Sequence, residues 1–185
     1  MMNLKTLFLA LLMTVSTLAA MAHTRVTKGD VKVLDNKEIT CDISFDFTNT
    51  KVEDIPYKEY LEKRGEPFIS EWENEVIPYG TEYYSERWNK ENKDGLQVSE
   101  TAGGIYRMVI APTYLNLGSS AMSTLIGFGA GGCRFDGTIS IYKDEELILE
   151  MTVSNQRSKS KSLARNRFRD LMVQLVKDTF KSLGR

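Results

Sequence analysis

Residues 133–153 read CRFDGTISIYKDEELILEMTV, and both halves of that stretch alternate. From Cys133 to Tyr142, Cys133, Phe135, Ile139 and Ile141 share one phase of a two-residue period. Side chains of a strand project alternately to opposite faces, so this spacing predicts a strand with one buried face. Lys143-Asp144-Glu145-Glu146 forms a short acidic turn, and Leu147 to Val153 supplies a second strand. Two apolar runs joined by so short a polar link predict a β-hairpin. A hairpin alone is marginal in water, and the chain supplies a cover directly afterwards. Between Ser160 and Leu183, Ala164, Phe168, Leu171, Met172, Leu175, Val176, Phe180 and Leu183 form the wide apolar stripe of an amphipathic helix.

Working back from the hairpin, Ile105 to Leu117 reads as a third strand, kinked at Pro112 because proline cannot donate to a ladder. From Glu38 to Thr48, Ile39, Cys41, Ile43, Phe45 and Phe47 alternate with polar residues, a strand with one wet face. Between these strands lie two helical stretches. Asp54 is expected to cap the first, with Pro56 in its first turn and Gly65 ending it. The second starts near Pro67 and carries Phe68, Trp72 and Val76. An interruption is expected around Pro78 and Gly80, with Tyr84 and Trp88 resuming the helix until Lys93-Asp94-Gly95. The order β-α-α-β-β-β-α predicts an α/β (α+β) two-layer sandwich, a mostly antiparallel four-stranded sheet covered by helices on one face.

Leu125-Ile126-Gly127-Phe128-Gly129-Ala130-Gly131, followed by an alternating strand, an acidic turn, a second strand and a long helix, resembles a bacterial domain-of-unknown-function family of small exported proteins. In that family an aliphatic pair and G-F-G-A-G lead into such a hairpin. The resemblance spans about residues 105–183 and implies a fold related to envelope domains of TolB N-terminal and CsgG type. It implies no reaction. Gly132-Cys133 departs from the basic and small residues more usual there.

At the other end, Lys5 precedes an apolar run from Leu7 to Leu18 and a small-residue exit at Ala20-Met21-Ala22. This is the pattern of a secretory signal peptide over residues 1–22, with cleavage after Ala22. Residues 23–185 are then expected to be a single exported domain, periplasmic or extracellular. With no cysteine at the cleavage point, it is not a lipoprotein. The formal net charge is −1, so global electrostatics name no partner. Acids concentrate between Glu53 and Asp94 and bases between Arg157 and Arg185, which predicts an acidic side and a basic side. Cys41 and Cys133 both fall on inward phases of strands. An oxidising compartment permits a bridge between them, and two buried thiols satisfy the same pattern.

The chemistry-bearing patterns are mostly incomplete. Gly127, Gly129, Gly131 and Gly132 enter a strand rather than a helix and lack the Lys-Ser/Thr of a phosphate loop, so no nucleotide is expected. With Phe128, they form a candidate partner-binding loop. His23 is the only histidine, which leaves histidine-based metal sites and triads without partners. Ser158-Lys159-Ser160-Lys161 matches S-x-x-K without its companion motifs and reads as a solvated linker. Glu71, Glu73 and Glu75 flank Trp72, yet no spacing shows two carboxylates facing one cleft. Eight aromatics fall between Tyr57 and Trp88, and a subset, Tyr79, Tyr83, Tyr84 and Trp88, is a candidate exposed platform for sugar or protein.

Together these readings predict a non-enzymatic envelope or secreted protein acting as a protein-interaction module, with no cofactor, no metal and no nucleic acid. The alternative is a carbohydrate- or glycolipid-binding module using the aromatic helices 57–88. A hydrolase without a recognisable motif is the third class.

Overall fold

The computed structural model describes residues 22–101, 103–118, 132–158, 160 and 163–185. Most of the expected signal peptide therefore lies outside the described residues, as do Gly127, Phe128, Gly129 and Gly131. The strands are β1 (His23–Gly29), β2 (Thr40–Phe45), β3 (Lys51–Val52), β4 (Ile55–Pro56), β5 (Gln97–Ser99), β6 (Tyr106–Asn116), β7 (Arg134–Lys143) and β8 (Glu146–Arg157). Helix α1 is Tyr57–Arg64. Helix α2 runs continuously through Glu66–Glu71, a π-helical turn at Trp72–Val76, and Ile77–Glu91; α3 is Ala164–Ser182. Among the described residues no helix is long and apolar enough to cross a membrane.

The mixed α/β character is as expected, but the sheet has eight strands rather than four. Its order is β1-β8-β7-β6-β2-β5, with β3 following β2 along the same edge of β6 and β4 paired to β3. The strands beyond the expected four lack a readable period. β3, β4 and β5 have two or three residues each, and β1 buries only Thr24 and half-buries Val26. The sheet is mostly antiparallel, as expected, with parallel pairing confined to one side of β6. β1, β8, β7 and β6 pair antiparallel, whereas β2 lies parallel to both β6 and β5. The cause is the connection: parallel neighbours need a long crossover, and α1 with α2 supplies it between β2 and β5.

Pro78 and Gly80 do not interrupt α2. A proline lacks its N–H and crowds the carbonyl four residues back. The π turn just before Pro78 absorbs that misfit, and the Ile77 N–H bonds to the Trp72 carbonyl five residues back. Gly80 is where α2 meets α3: a Cβ there would lie 2.4 Å from the Phe168 ring. The first cap is also corrected. Asp54 sits at φ 69° beside Glu53 at φ 52°, in the two-residue turn joining β3 to β4, and Pro56 is the N-cap of α1. Gly65, at φ 79°, ends α1 as expected. Strand β6 does kink at Pro112, where its register against β7 shifts before Tyr114.

One core joins the layers. Cys41 and Ile43 of β2, Met108 and Ile110 of β6, Ile139 and Ile141 of β7 and Leu149 and Met151 of β8 are buried on one sheet face. The helices contribute Trp72, Tyr84 and Trp88 from α2 and Leu171, Met172, Leu175 and Val176 from α3 to the same cluster. Both cysteines point inward and are free. Strand β6 separates β2 from β7, so the cysteine strands are two spacings apart, roughly 10 Å, against the 4.4–6.8 Å that a disulfide spans. They also sit at opposite ends of β6: Asp42 is level with Arg107, but Arg134 is level with Asn116, roughly 30 Å along the strand.

Candidate functional site

Alternation that turns Met108 and Ile110 towards the helices turns Arg107 and Val109 to the opposite face of the sheet. There the register brings Asp42 beside Arg107 beside Tyr142, and Ser44 beside Val109 beside Ser140. The segment 44–48, the start of α1 and the β7–β8 turn rise around these rows. They enclose a shallow groove of about 850 Å³ lined by Ser44, Asp46, Phe47, Tyr57, Arg107 and Tyr142, among others.

The groove combines planar polar groups with aromatic walls. The Arg107 guanidinium lies 5.3 Å from the centre of the Tyr142 ring and 3.4 Å from a Glu145 carboxylate oxygen. Asp46 accepts a hydrogen bond from the Thr48 N–H at 2.9 Å, and its bonds with Thr48 hold its carboxyl below the usual range. Along one wall three rings stack: Phe47 lies 5.6 Å from Phe45 and 4.5 Å from Tyr57, nearly parallel to both. Trp72 Nε1–H donates to the Tyr57 hydroxyl at 2.7 Å and fixes the last ring in place. Burial pushes the Tyr57 phenol up to about 12. Such a surface offers hydrogen bonds from fixed planar groups beside flat apolar rings.

The four residues of the expected aromatic platform divide between the core and the surface. Tyr84 and Trp88 are wholly buried; Trp88 meets Phe180 edge-on at 4.9 Å, and its Nε1–H donates to the Leu96 carbonyl. Their four-residue spacing places both on the core face of α2. Tyr79 and Tyr83, off that phase, remain half-exposed and lie 4.8 Å apart. Arginines of α3 pack against both rings, with Arg165 5.1 Å from the Tyr79 ring and Arg169 5.3 Å from Tyr83. Arg165 also reaches Glu75 at 3.7 Å. The acidic and basic segments are therefore neighbours, α2 against α3, and not opposite sides of the molecule.

Among the described candidates, Gly132, Cys133 and Ser158 pack closely together. Gly132 is required by close approach: a Cβ would lie 2.6 Å from the Ser158 carbonyl oxygen. Ser158 is buried; its Oγ accepts from the Cys133 N–H at 2.8 Å, and its own N–H donates to the Cys133 carbonyl. The Cys133 thiol donates to the Leu117 carbonyl at 3.2 Å, and burial holds it up at about 12. His23 opens edge strand β1, opposite Ser154. Among the described residues no three His, Cys, Asp or Glu side chains group to hold a metal ion. Sequence reasoning missed the groove because Arg107, Tyr142 and Phe47 come from three distant segments. The wet phase of β2 and the polar positions of β6 were its only trace.

No protein-family model matches the chain, and no curated protein matches it. Solved structures show a loose likeness, and two of them serve as examples. A PelC dodecamer from Paraburkholderia phytofirmans is 9% identical with a TM-score of 0.40, covering 86% of this chain and 97% of that one. A variant PelC dodecamer from the same organism is 8% identical with a TM-score of 0.41, covering 88% and 99%. Likeness at this level assigns no ligand, assembly or role to the chain.

Proposed function

We propose that the protein is an exported, non-catalytic binding module that takes a saccharide chain of the cell envelope in the groove beside Arg107 and Tyr142. The groove itself carries this reading: a concavity of about 850 Å³, it pairs aromatic rings with Arg107, Asp46 and Glu145. A sugar presents flat C–H faces and a rim of hydroxyls, which such a wall and such planar groups match. Lys58 and Arg107 balance Asp46 and Glu145 along the lining, which suits a neutral chain over a strongly charged one. Export rests on the leader-like residues 1–22. Calorimetric titration with neutral oligosaccharides of increasing length tests the reading. Saturable binding that tightens with length and is weakened by Tyr142→Ala supports it; no heat from any oligosaccharide or from cell-wall fragments overturns it.

A protein partner is the second reading. It is favoured by Leu163, 73% exposed one turn before Arg167, whose guanidinium holds the Leu117 and Gly118 carbonyls at the root of the glycine-bearing segment. Crosslinking in the native cell from a probe at position 163 tests it. One abundant partner supports this reading, and none removes it.

A further inference from the structure

A separate cavity of about 360 Å³ lies between α1, the start of α3 and the end of β6. Its floor is Tyr60, Phe68 and Leu117, and among the described residues the charged groups that line it are Arg64, Arg167 and Glu53. We propose that this cavity binds a small organic anion carrying a flat apolar group, the class of aryl carboxylates and aryl phosphates. The anionic head lies with Arg64 and Arg167 and the ring against Phe68 and Tyr60.

Three observations carry the proposal. First, the Arg167 guanidinium is pre-oriented. Its residue is 7% exposed, its Nε–H donates to the Leu117 carbonyl at 2.9 Å, and Nη2 lies 3.3 Å from the Gly118 carbonyl. A planar fork held this way loses little freedom on meeting an oxyanion. Second, Arg64 is spread over aromatic rings, 4.7 Å from the centre of Phe68 and 5.9 Å from Tyr60. It makes no ion pair among the described residues, so its outward N–H groups remain for a carboxylate or phosphate. Third, these charges surround one spot. The Tyr60 hydroxyl feels Arg64 and Arg167 drawing its pKa down and Glu53 pushing it up, against the larger upward push of burial. Among the described residues, two guanidinium groups and one carboxylate thus meet over an apolar floor. The size of the cavity is near the lower end of the range for small-molecule pockets, about 300–1,000 Å³.

The test titrates the purified full chain with three probes, phenyl phosphate, inorganic phosphate and phenol, followed by amide NMR shifts and calorimetry. Phenyl phosphate is expected to saturate with shifts centred on Tyr60, Phe68 and Leu117. It should bind at least about tenfold more tightly than either fragment, since the charged and apolar contacts combine. Arg64→Gln should weaken it about tenfold or more while the chain stays folded, because it removes the charged hydrogen bonds to the anionic head. Arg64→Lys, which keeps the charge and loses the fork, should fall between. Shifts elsewhere, no saturation, or equal affinity in Arg64→Gln and Arg64→Lys overturn the proposal. The oligosaccharide titration is unaffected by any of these outcomes, because no groove residue is altered.

Discussion

The helical layer and the open sheet face use the same side-chain chemistry for opposite ends. Under α2 and α3, Trp72 meets Phe168 edge-on at 5.1 Å and Trp88 meets Phe180 at 4.9 Å, and all four are buried. Even the half-exposed tyrosines of that layer, Tyr79 and Tyr83, pack against Arg165 and Arg169 from the neighbouring helix. On the open face Tyr142 is half-buried beside the Arg107 guanidinium, while Phe47 and Tyr57, at the rim of the helical layer, contact Trp72 and still line the groove. Aromatic density therefore marks cohesion in one region and an available surface in the other. What separates them is whether a second element closes over the ring.

If that contrast holds, the largest loss of stability comes from the helical layer. Trp88→Ala should cost about 3–5 kcal/mol, from the cavity and the lost bond to Leu96, and chemical denaturation measures it; a loss below about 1 kcal/mol would break the contrast. Alkaline titration comes next, because the buried thiols lie on the helix-covered face. Burial raises Cys41 and Cys133 from 9.0 to about 12. The unfolded chain then releases these protons first, so stability is complete below about pH 9 and falls as pH rises towards 12. The slope is on the order of 1.4 kcal/mol per pH unit for each thiol. Denaturation midpoints flat from pH 9 to 11 would contradict the burial of both thiols. Gly80→Ala follows at about 1–3 kcal/mol, since Phe168 must give way to the new methyl group. Arg107→Gln should shift stability by less than about 0.5 kcal/mol, its ion pair with Glu145 being at the surface.

Much of the core was legible because it is periodic. The inward phases of β2 and β7 and the stripe of α3 are each set by a local repeat, and local repeats survive without knowledge of neighbours. Strand order was not legible. Cys41 and Cys133 were correctly turned inward, but only the pairing of β2 and β7 on either side of β6 shows that they cannot meet. Pro78 misled for a related reason: its cost in a helix is local, while the π turn that absorbs it and the Phe168 contact at Gly80 are not. The candidate site was the least legible part. Tyr79, Tyr83, Tyr84 and Trp88 are adjacent in sequence and conspicuous, yet two are core and two are clasped by arginines. Arg107 and Tyr142 touch only because β6 and β7 pair in one register.

The central claim is that the open face, and not the aromatic helices, is the binding surface. Affinity for the longest neutral oligosaccharide, compared between the parent chain, Tyr142→Ala and Tyr79→Ala, tests it most directly. The account predicts a loss of about tenfold or more for Tyr142→Ala, in line with an aromatic contact in a binding pocket, and parent-like affinity for Tyr79→Ala. The reverse pattern would place the surface on the helices and contradict it.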